Sequence, residues 1–308
     1  MSAGLSGKKT MSSNSIDPLK ILDDWPLWQI TSCRPNDSQL EKISGGMTNQ
    51  NYLLHLDAER YVIRFDAKNS AELDIDRNAE YRIHQMAAEA GLVNPVIYRH
   101  TNTPRYWIRE YIQGKSLSTE VLKNELIIND IHPNDTHLNQ IVTVLKTLHQ
   151  IQPAHPLPTI SLVDKAQQYI EIIRQLRDVS DALDGVLNKL LLILAEAPDQ
   201  TQCLCHMDAT LNNWIMASQG LRLIDWEYAG LGHPLWDLAT VSIDGQLNEQ
   251  QQHKMLQQYY SNETWNLRHW QLAKQQISAL AALWYGAQQI WDIKTLESTL
   301  IQIVDCPE

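Results

Sequence analysis

Residues 205–239, CHMDATLNNWIMASQGLRLIDWEYAGLGHPLWDLA, are the stretch that decides the fold. Short strand-like runs at 201–205, 213–216 and 221–224 alternate with polar residues in and around this stretch. The second and third runs are separated by a short turn, which is typical of a hairpin. The pattern therefore predicts a strand, a polar loop, a hairpin and a second polar segment, in that order.

The polar residues of this stretch have the spacing of a phosphoryl-transfer site. Such a site needs a carboxylate for the attacking hydroxyl, oxygen ligands for Mg²⁺ and donors for the phosphates of ATP. The order His206-x-Asp208-x-x-x-x-Asn213 has the Asp–Asn interval of the kinase catalytic loop. We predict that Asp208 is the catalytic base or orienting carboxylate and that His206 supports the loop through hydrogen bonds. Asn213 and Asp225 are the predicted magnesium ligands.

Each of these residues also has a plainer interpretation. His, Asp and Asn are common in loops, and Asp225 could simply cap a strand. The order of the residues, the strand–loop–strand context and the following Trp226-Glu227 all fit one site, and together they favour the functional interpretation.

Hydrophobic periodicity divides the chain into a β-rich part and a helical part. Before Gly114 we predict a β-meander, one helix and two further strands, at Leu40–Ile43, Asn51–Leu56, Tyr61–Phe65, Asp74–Glu89 (the helix), Pro95–Tyr98 and Tyr106–Ile112. After Gly114 we predict helices at Leu138–His149, Leu162–Leu176, Leu183–Ala195 and from Trp236 onward. The predicted class is α+β, with a flexible tail at 1–16, an N-lobe at 17–113 and a C-lobe at 114–308.

The composition favours a soluble protein and a small partner. Hydrophobic residues make up 44% of the chain and charged residues 20%, and no apolar run has membrane-spanning length. The formal net charge is -11, so nucleic acid would be repelled whereas a cationic small molecule is easier to accommodate. We therefore expect neither a nucleic-acid nor a membrane partner.

The cysteines point to a reducing compartment. Four cysteines are too few and too scattered for a disulfide framework, and no signal-like apolar segment follows the N-terminal lysine pair, so we expect a cytoplasmic protein. The run from Cys203 to His206 lacks a second ligand pair at zinc-type spacing, and we predict no zinc site there.

Residues 205–239 resemble the aminoglycoside phosphotransferase and choline kinase superfamily, most closely its bacterial choline kinase-like and thiamine kinase-like branches. The resemblance implies a protein-kinase-like bilobal fold, with a small β-rich N-lobe that carries one helix and a larger, mainly helical C-lobe. It also implies phosphorylation of a small-molecule hydroxyl by ATP with Mg²⁺. By the same resemblance Asp208 is the catalytic carboxylate, Glu227 is a further metal ligand or a carboxylate beside the metal, and Asp237 lies on the substrate-side helix.

The resemblance extends to the N-lobe. Ser44–Tyr52 looks like the glycine-containing turn over the nucleotide phosphates, and Arg64 falls where the family places a basic residue on the third strand. Glu80 on the following helix is expected to pair with Arg64, as in protein kinases. The resemblance thus implies nucleotide contacts from Gly45, Gly46, Thr48, Asn49, Asn51, Arg64, Glu80 and, at the adenine edge, Glu110, Tyr111 and Ile112.

The substrate is the least readable feature of the sequence. A cation is commonly held by aromatic faces and carboxylates, and Leu283-Trp284-Tyr285 resembles the aromatic stretch of the choline site in choline kinases. The residues predicted to bind substrate are Trp226, Glu227, Tyr228, Asp237, Trp284 and Tyr285. Helical spacing gives Trp284 an equally good interpretation as a core residue.

Several functional alternatives stay open. Choline or ethanolamine is the favoured substrate, followed by thiamine and then an aminoglycoside, and a catalytically silent nucleotide-binding member of the fold is also compatible. A protein kinase is disfavoured because no Asp-Phe-Gly or Ala-Pro-Glu signature occurs. The sequence is compatible with a monomer or a homodimer.

Overall fold

A computed structural model of the chain describes residues 17–43, 49–66, 75–124, 137–261 and 264–305. The described residues form two compact units. The first unit runs through residue 66 and adds residues 96–111, and the second holds residues 75–95 and those from residue 112 onward. The predicted tail at 1–16 lies outside the described residues.

The first unit is built on an antiparallel sheet, which has five strands in the described residues. The strands are β1 (Leu40–Ile43), β2 (Gln50–Leu56), β3 (Glu59–Phe65), β4 (Val96–His100) and β5 (Tyr106–Glu110), in the spatial order β1-β2-β3-β5-β4. The two-residue turn between β2 and β3 places Asp57 at a φ of 51°, in the left-handed region that tight hairpins require. Along β2, Tyr52, Leu54 and Leu56 alternate with more exposed residues, so one face of the sheet is buried.

Segments that precede the sheet complete its core. A 3-10 helix (Pro18–Asp24) leads into the single-turn helix α1 (Trp25–Trp28), and Trp28 is buried in the same apolar cluster as Tyr106. The Tyr106 hydroxyl accepts a hydrogen bond from Trp28 Nε1 at 3.0 Å and donates one to Asp24 Oδ2 at 2.7 Å. This pair of bonds joins the N-terminal segment to β5 and satisfies polar atoms inside an apolar core.

The second unit is mainly helical. Its helices are α2 (Arg77–Glu89), α3 (Thr119–Asn124), α4 (His137–His149), α5 (Leu162–Leu176), α6 (Asp181–Ala195), α7 (Pro234–Asp244), α8 (Glu249–Tyr259), α9 (Leu267–Ala287) and α10 (Ile293–Val304). Helix α9 packs against α5, α7 and α10. Its buried Gln276 accepts a hydrogen bond from Trp236 Nε1 at 2.9 Å and donates to the Ile193 carbonyl at 2.9 Å, which ties α9 to α7 and α6. No helix in the described part of the chain has the length and apolar character to cross a membrane.

Two small sheets of the second unit surround the polar loops. Within the described residues, β7 (Cys203–Cys205) pairs with β10 (Gly230–Gly232), and β6 (Gly114–Ser116), β8 (Trp214–Ala217) and β9 (Gly220–Leu223) form a sheet in the order β6-β8-β9. Strands β8 and β9 are the predicted hairpin. A Cβ at Gly230 would lie 2.8 Å from the Pro158 carbonyl oxygen, so this position requires glycine.

The predicted strands and helices have observed counterparts, mostly with ends within a few residues. The short elements β6, β10, α1 and α3 were not predicted, because so few residues carry no measurable periodicity. The helix predicted to start at Asp74 begins at Arg77, and it groups with the second unit because Ile83 and Ala87 belong to that unit's apolar core. The lobe boundary between residues 113 and 114 stays a prediction.

We expect Tyr106→Phe to lower the free energy of unfolding by about 1–3 kcal/mol, because it leaves Trp28 Nε1 and Asp24 without their buried partner. Urea denaturation followed by tryptophan fluorescence measures the change. Tyr61→Phe, at a half-buried tyrosine of β3, is the matched control and should cost less than about 0.5 kcal/mol. Equal losses in the two variants would contradict the role given to the Tyr106 hydroxyl.

Candidate active site

The predicted catalytic loop connects β7 to β8 and ends in a 3-10 turn at Leu211–Asn213. Its first residues are held by one carboxylate. Asp237 on α7 is fully buried, and its Oδ2 and Oδ1 accept hydrogen bonds from the backbone N–H groups of His206 and Met207, each at 2.8 Å. Met207 has a φ of 66°, a left-handed conformation that is strained for a residue with a Cβ. The carboxylate therefore stabilises a backbone shape that the loop would not keep alone.

A histidine completes the shell around Asp237. His149 at the end of α4 contacts Asp237 Oδ2 through Nε2 at 3.1 Å. Burial alone would raise the pKa of Asp237, but the hydrogen bond and charge of His149 and the bond from the His206 N–H bring that pKa below its usual value. Asp237 is therefore an ionised group in the core. The position of Asp237 indicates that this residue supports the loop. Its contact with substrate stays a prediction.

His206 is a neutral, buried member of the loop. Its Nδ1 faces the Asp208 backbone N–H at 3.3 Å, and its Nε2 lies 3.1 Å from the Ile224 carbonyl oxygen, which fits the tautomer protonated at Nε2. Burial lowers the pKa of His206 to about 4. The ring packs edge-on against Trp226 at a centroid distance of 4.6 Å. These contacts fit the predicted supporting role of His206.

Asp208 and Asn213 are in direct contact. The Asn213 side-chain Nδ2 donates to Asp208 Oδ2 at 2.8 Å and to the Asp208 carbonyl at 2.9 Å. Burial and the negative charge of Asp225 together raise the pKa of Asp208 to about 8, although the hydrogen bond from Asn213 acts in the opposite direction. A half-buried carboxylate destabilised by a second carboxylate is the electrostatic environment that a cation would relieve.

Asp225 lies next to the end of the catalytic loop. The backbone N–H of Ile224 donates to the Asn213 carbonyl at 2.9 Å, just beyond the paired strands β8 and β9. Asp225 itself has a φ of 69°, so both segments of the site contain a residue in the left-handed region. The structure thus brings together the three residues, Asp208, Asn213 and Asp225, whose spacing the sequence analysis singled out.

Glu227 belongs to a buried charge cluster within the second unit. Its Oε2 lies 3.1 Å from Arg77 Nη1, and the same nitrogen lies 2.9 Å from Glu80 Oε2. All three side chains are at most 3% exposed. Arg77 was not predicted as a site residue, although it opens the helix that carries Glu80. Arg77 gives Glu80 an ion-pair partner within the second unit, and the expected pairing of Glu80 with Arg64 stays a prediction.

The aromatic residues predicted to bind substrate fall into two groups. Trp226 is 1% exposed and donates to the Leu223 carbonyl at 3.1 Å, so it packs in the core under the loop. Tyr228, Trp284 and Tyr285 are half-buried, and burial followed by negative charge, which includes that of Asp208, raises the pKa of both tyrosines. The second group therefore lies within electrostatic range of the predicted base.

The rings of this second group also contact one another and neighbouring side chains. Trp284 meets Tyr285 edge-on at 5.3 Å, and Tyr285 stacks on Trp291 at 4.9 Å. The Lys165 Nζ lies 5.8 Å from the centre of the Tyr228 ring, so this ring already has a cation near it. Trp291 and Lys165 were not among the predicted site residues.

The predicted nucleotide contacts lie on several elements. Gly45, Gly46 and Thr48 are outside the described residues. In the first unit, Asn49 is buried and Asn51 on β2 is paired with Arg64 on β3.

Arg64 lies over the Trp107 ring at 3.8 Å and contacts Asp66 at 3.3 Å. Glu110 ends β5, and the Tyr111 N–H donates to the Arg60 carbonyl at 2.8 Å. Ile112 is buried in the apolar core of the second unit.

A second carboxylate that supports the catalytic loop was not predicted from the sequence. Asp244, at the end of α7, accepts a hydrogen bond from the Leu211 backbone N–H at 2.6 Å. Asp237 and Asp244 are seven residues apart, which places them on one face of the helix two turns apart. This spacing was visible in the sequence, but nothing local shows that the face meets the loop.

Fold and site together define a phosphotransferase with a two-lobed, protein-kinase-like fold. A model of the phosphotransferase enzyme family matches residues 39–287, and the chain belongs to this family. The family and the fold class predicted from the sequence are confirmed.

Three similar proteins illustrate the relationship. Protein LicA of Haemophilus influenzae is 28% identical over 221 residues, which cover 70% of this chain and 61% of that protein, so the match spans less than two thirds of its length. Thiamine kinase of Salmonella paratyphi B is 43% identical over 56 residues, which cover 18% of this chain and 19% of that protein. The crystal structure of choline kinase LicA from Streptococcus pneumoniae is similar with a TM-score of 0.70 and 23% identity, covering 92% of this chain and 96% of that one.

Asp237→Asn should lower phosphotransferase turnover by about 10- to 100-fold, because an amide cannot accept from all three donors that the carboxylate binds. Amide hydrogen exchange at His206 and Met207, followed by mass spectrometry, should become faster in this variant. Asp164→Asn, at an exposed carboxylate of α5, is the matched control and should change neither quantity. Unaltered exchange in Asp237→Asn would refute the bracing role.

Proposed function

We propose that this protein is an ATP- and Mg²⁺-dependent kinase that phosphorylates the hydroxyl of a small cationic alcohol, choline or ethanolamine. The observation that carries the proposal is the contact of Asp208 with Asn213 beside Asp225, on a loop held by a buried carboxylate. Membership of the phosphotransferase family supports the reaction type.

Asp208 acts on the alcohol. Its carboxylate accepts a hydrogen bond from the substrate hydroxyl, which orients the oxygen toward the γ-phosphorus and takes up the proton as the new O–P bond forms. Burial and the charge of Asp225 raise the pKa of Asp208 to about 8, which makes the carboxylate a stronger base than an exposed aspartate.

Asn213 and Asp225 suit a magnesium ion. The Asn213 nitrogen is bound to Asp208, and its amide oxygen together with the Asp225 carboxylate gives the hard oxygen ligands that Mg²⁺ prefers. The bound ion would neutralise charge that develops on the phosphoryl oxygens. Glu227 would lie beside these ligands, with one oxygen bound to Arg77.

The ATP site draws on the residues that the family resemblance implies. Arg64 is buried against Trp107, which restricts its guanidinium, and a fixed guanidinium suits bidentate contact with a phosphate. Asn51 is its neighbour across the β2–β3 ladder. We assign Asn49, Gly45, Gly46 and Thr48 to the phosphate turn and Glu110, Tyr111 and Ile112 to the adenine edge, with Glu80 as a supporting acid.

The cationic alcohol would contact the aromatic group formed by Tyr228, Trp284 and Tyr285. Each cation–π contact contributes about 0.5–2 kcal/mol, and the charges of Asp208 and Glu227 add attraction for a cation. Two relatives named LicA match most of this chain, and the one from Streptococcus pneumoniae is described as a choline kinase. These observations favour choline.

Thiamine is the second candidate. The match to thiamine kinase has the higher identity, 43%, but covers 56 residues, whereas the match to Protein LicA covers 221. Thiamine also carries a cationic aromatic ring, so the same aromatic group would suit it.

Asp208→Asn should lower the rate of phosphoryl transfer by about 10²–10⁴-fold, because the amide cannot take the proton of the alcohol. A coupled ADP-release assay measures the rate. Thermal unfolding should be unchanged or shifted upward, since the substitution removes repulsion from Asp225. Asp181→Asn, at an exposed position in α6, is the control. Retained turnover in folded Asp208→Asn would refute the catalytic role of Asp208. If the wild-type protein binds ATP but turns over no alcohol, it is a catalytically silent member of the fold.

Trp284→Leu should raise the KM for choline about 3- to 30-fold, which corresponds to the loss of one cation–π contact, and leave the KM for ATP unchanged. The same ADP-release assay, run side by side with choline, ethanolamine, thiamine and an aminoglycoside, identifies the substrate. Trp265→Leu, a half-buried tryptophan just before α9, is the matched control. An unchanged KM for the preferred alcohol would place Trp284 in the core alone.

A further inference from the structure

Two thiols and an imidazole meet behind the catalytic loop. Cys203 and Cys205 are two residues apart on β7, which places both side chains on one face of the strand. His149, the last residue of α4, faces them, and one ligand atom from each of the three residues lies within 4.8 Å of the others. The third ligand, which the run from Cys203 to His206 lacks in sequence, therefore comes from a distant helix.

The sulfur separation fits a tetrahedral metal. The Cys203 and Cys205 Sγ atoms are 3.7 Å apart. Two sulfurs bound to one zinc at about 2.3 Å each, at the tetrahedral angle, would be about 3.8 Å apart. A nitrogen at about 2.0–2.1 Å from the same ion would lie roughly 3.6 Å from each sulfur. The ligand atoms lie within 4.8 Å of one another, so the imidazole has to approach by at most about 1 Å.

The partner that orients a metal-bound histidine is already in place. His149 Nε2 contacts the Asp237 carboxylate at 3.1 Å. Histidine ligands commonly donate their second ring N–H to a carboxylate, which fixes the tautomer and makes the ligating nitrogen more basic. Here that arrangement leaves Nδ1 as the nitrogen for an ion.

The Nδ1 atom of His149 contacts a group that an ion can displace. It lies 2.7 Å from the Tyr259 hydroxyl, and Tyr259 is at the end of α8. A neutral hydroxyl is a weaker partner than the ionised Asp237, so an incoming ion would displace Tyr259 and leave the Nε2 contact intact.

Solvent can reach the Cys203 thiol, whereas Cys205 is fully buried. Cys203 is half-buried and lines a cavity of about 390 Å³, together with Leu204, Gln202, Ile151, His155 and Leu157. The cavity gives an ion a route to the Cys203 sulfur, next to which Cys205 lies, and room for a water molecule as a fourth ligand.

We propose that His149, Cys203 and Cys205 form a binding site for a thiophilic metal ion of the Zn²⁺ class. Each thiol releases its proton to solvent as its sulfur binds, and the two thiolates balance the charge of the divalent ion. Imidazole and thiolate ligands select Zn²⁺ over Mg²⁺, so this site and the oxygen ligands of the active site take different ions.

The site is connected to the catalytic loop by three hydrogen bonds, all of which involve Asp237. His149 holds Asp237, and Asp237 holds the backbone of His206 and Met207. An ion that draws the imidazole toward the sulfurs would shift this carboxylate, so occupancy should alter amide exchange in the loop.

Zn²⁺ binding, measured by competition with a chromophoric chelator, tests the site without reference to catalysis. The wild-type protein should bind one equivalent, and Cys203→Ser should bind at least about tenfold more weakly. Tyr259→Phe should bind at least as tightly as wild type, because no hydroxyl has to leave Nδ1. Cys33→Ser, at an exposed cysteine of the first unit, is the thiol control and should match wild type.

A second measurement covers the case in which a cysteine variant folds poorly. Cd²⁺ added to the wild-type protein should produce the ultraviolet charge-transfer absorption of thiolate ligation, and the signal should persist in Cys33→Ser. Absence of stoichiometric Zn²⁺ binding, wild-type affinity in folded Cys203→Ser, or loss of binding in Cys33→Ser would overturn the proposal.

Discussion

The second unit depends on the ionised carboxylate of Asp237. A charge in an apolar interior is costly unless its oxygens are hydrogen-bonded, and here the donors are His149 and two consecutive backbone N–H groups of the catalytic loop. Those two bonds hold Met207 in a left-handed conformation that costs about 1–3 kcal/mol. The carboxylate and the strained loop therefore stabilise each other, and Asp208 follows directly from the residue that they fix.

The site carries more negative charge than its positively charged residues neutralise. Burial, and after it the negative charge of Asp225, raises the pKa of Asp208, while Glu227 is neutralised in part by Arg77. Repulsion between these two half-buried carboxylates destabilises the protein without a cation and strengthens the binding of one. The same excess negative charge suits both a metal ion and a cationic alcohol.

Local patterns in the sequence predicted most helices and strands, and they predicted the part of the site that lies on one short loop. Helix α5 was predicted at its observed limits because its apolar residues repeat with helical spacing, and Asp208 and Asn213 were paired because they belong to one short loop. The supporting contacts were not predictable in the same way. His149 lies 88 residues from Asp237, and Arg77 lies 150 residues from Glu227, so their pairing depends on how whole helices pack. Burial likewise decided that Trp226 packs under the loop, which no spacing could show.

In the site that we propose, catalytic geometry and substrate choice depend on different parts of the second unit. The loop is held from α4 and α7, through His149, Asp237 and Asp244, all of which bind its backbone or each other. The aromatic residues Tyr228 and Trp284 have no part in these bonds. A substitution in the aromatic group can therefore change which alcohol fits without disturbing the brace that orients Asp208. This separation gives a physical reason why proteins described as choline kinase and as thiamine kinase can both resemble this chain.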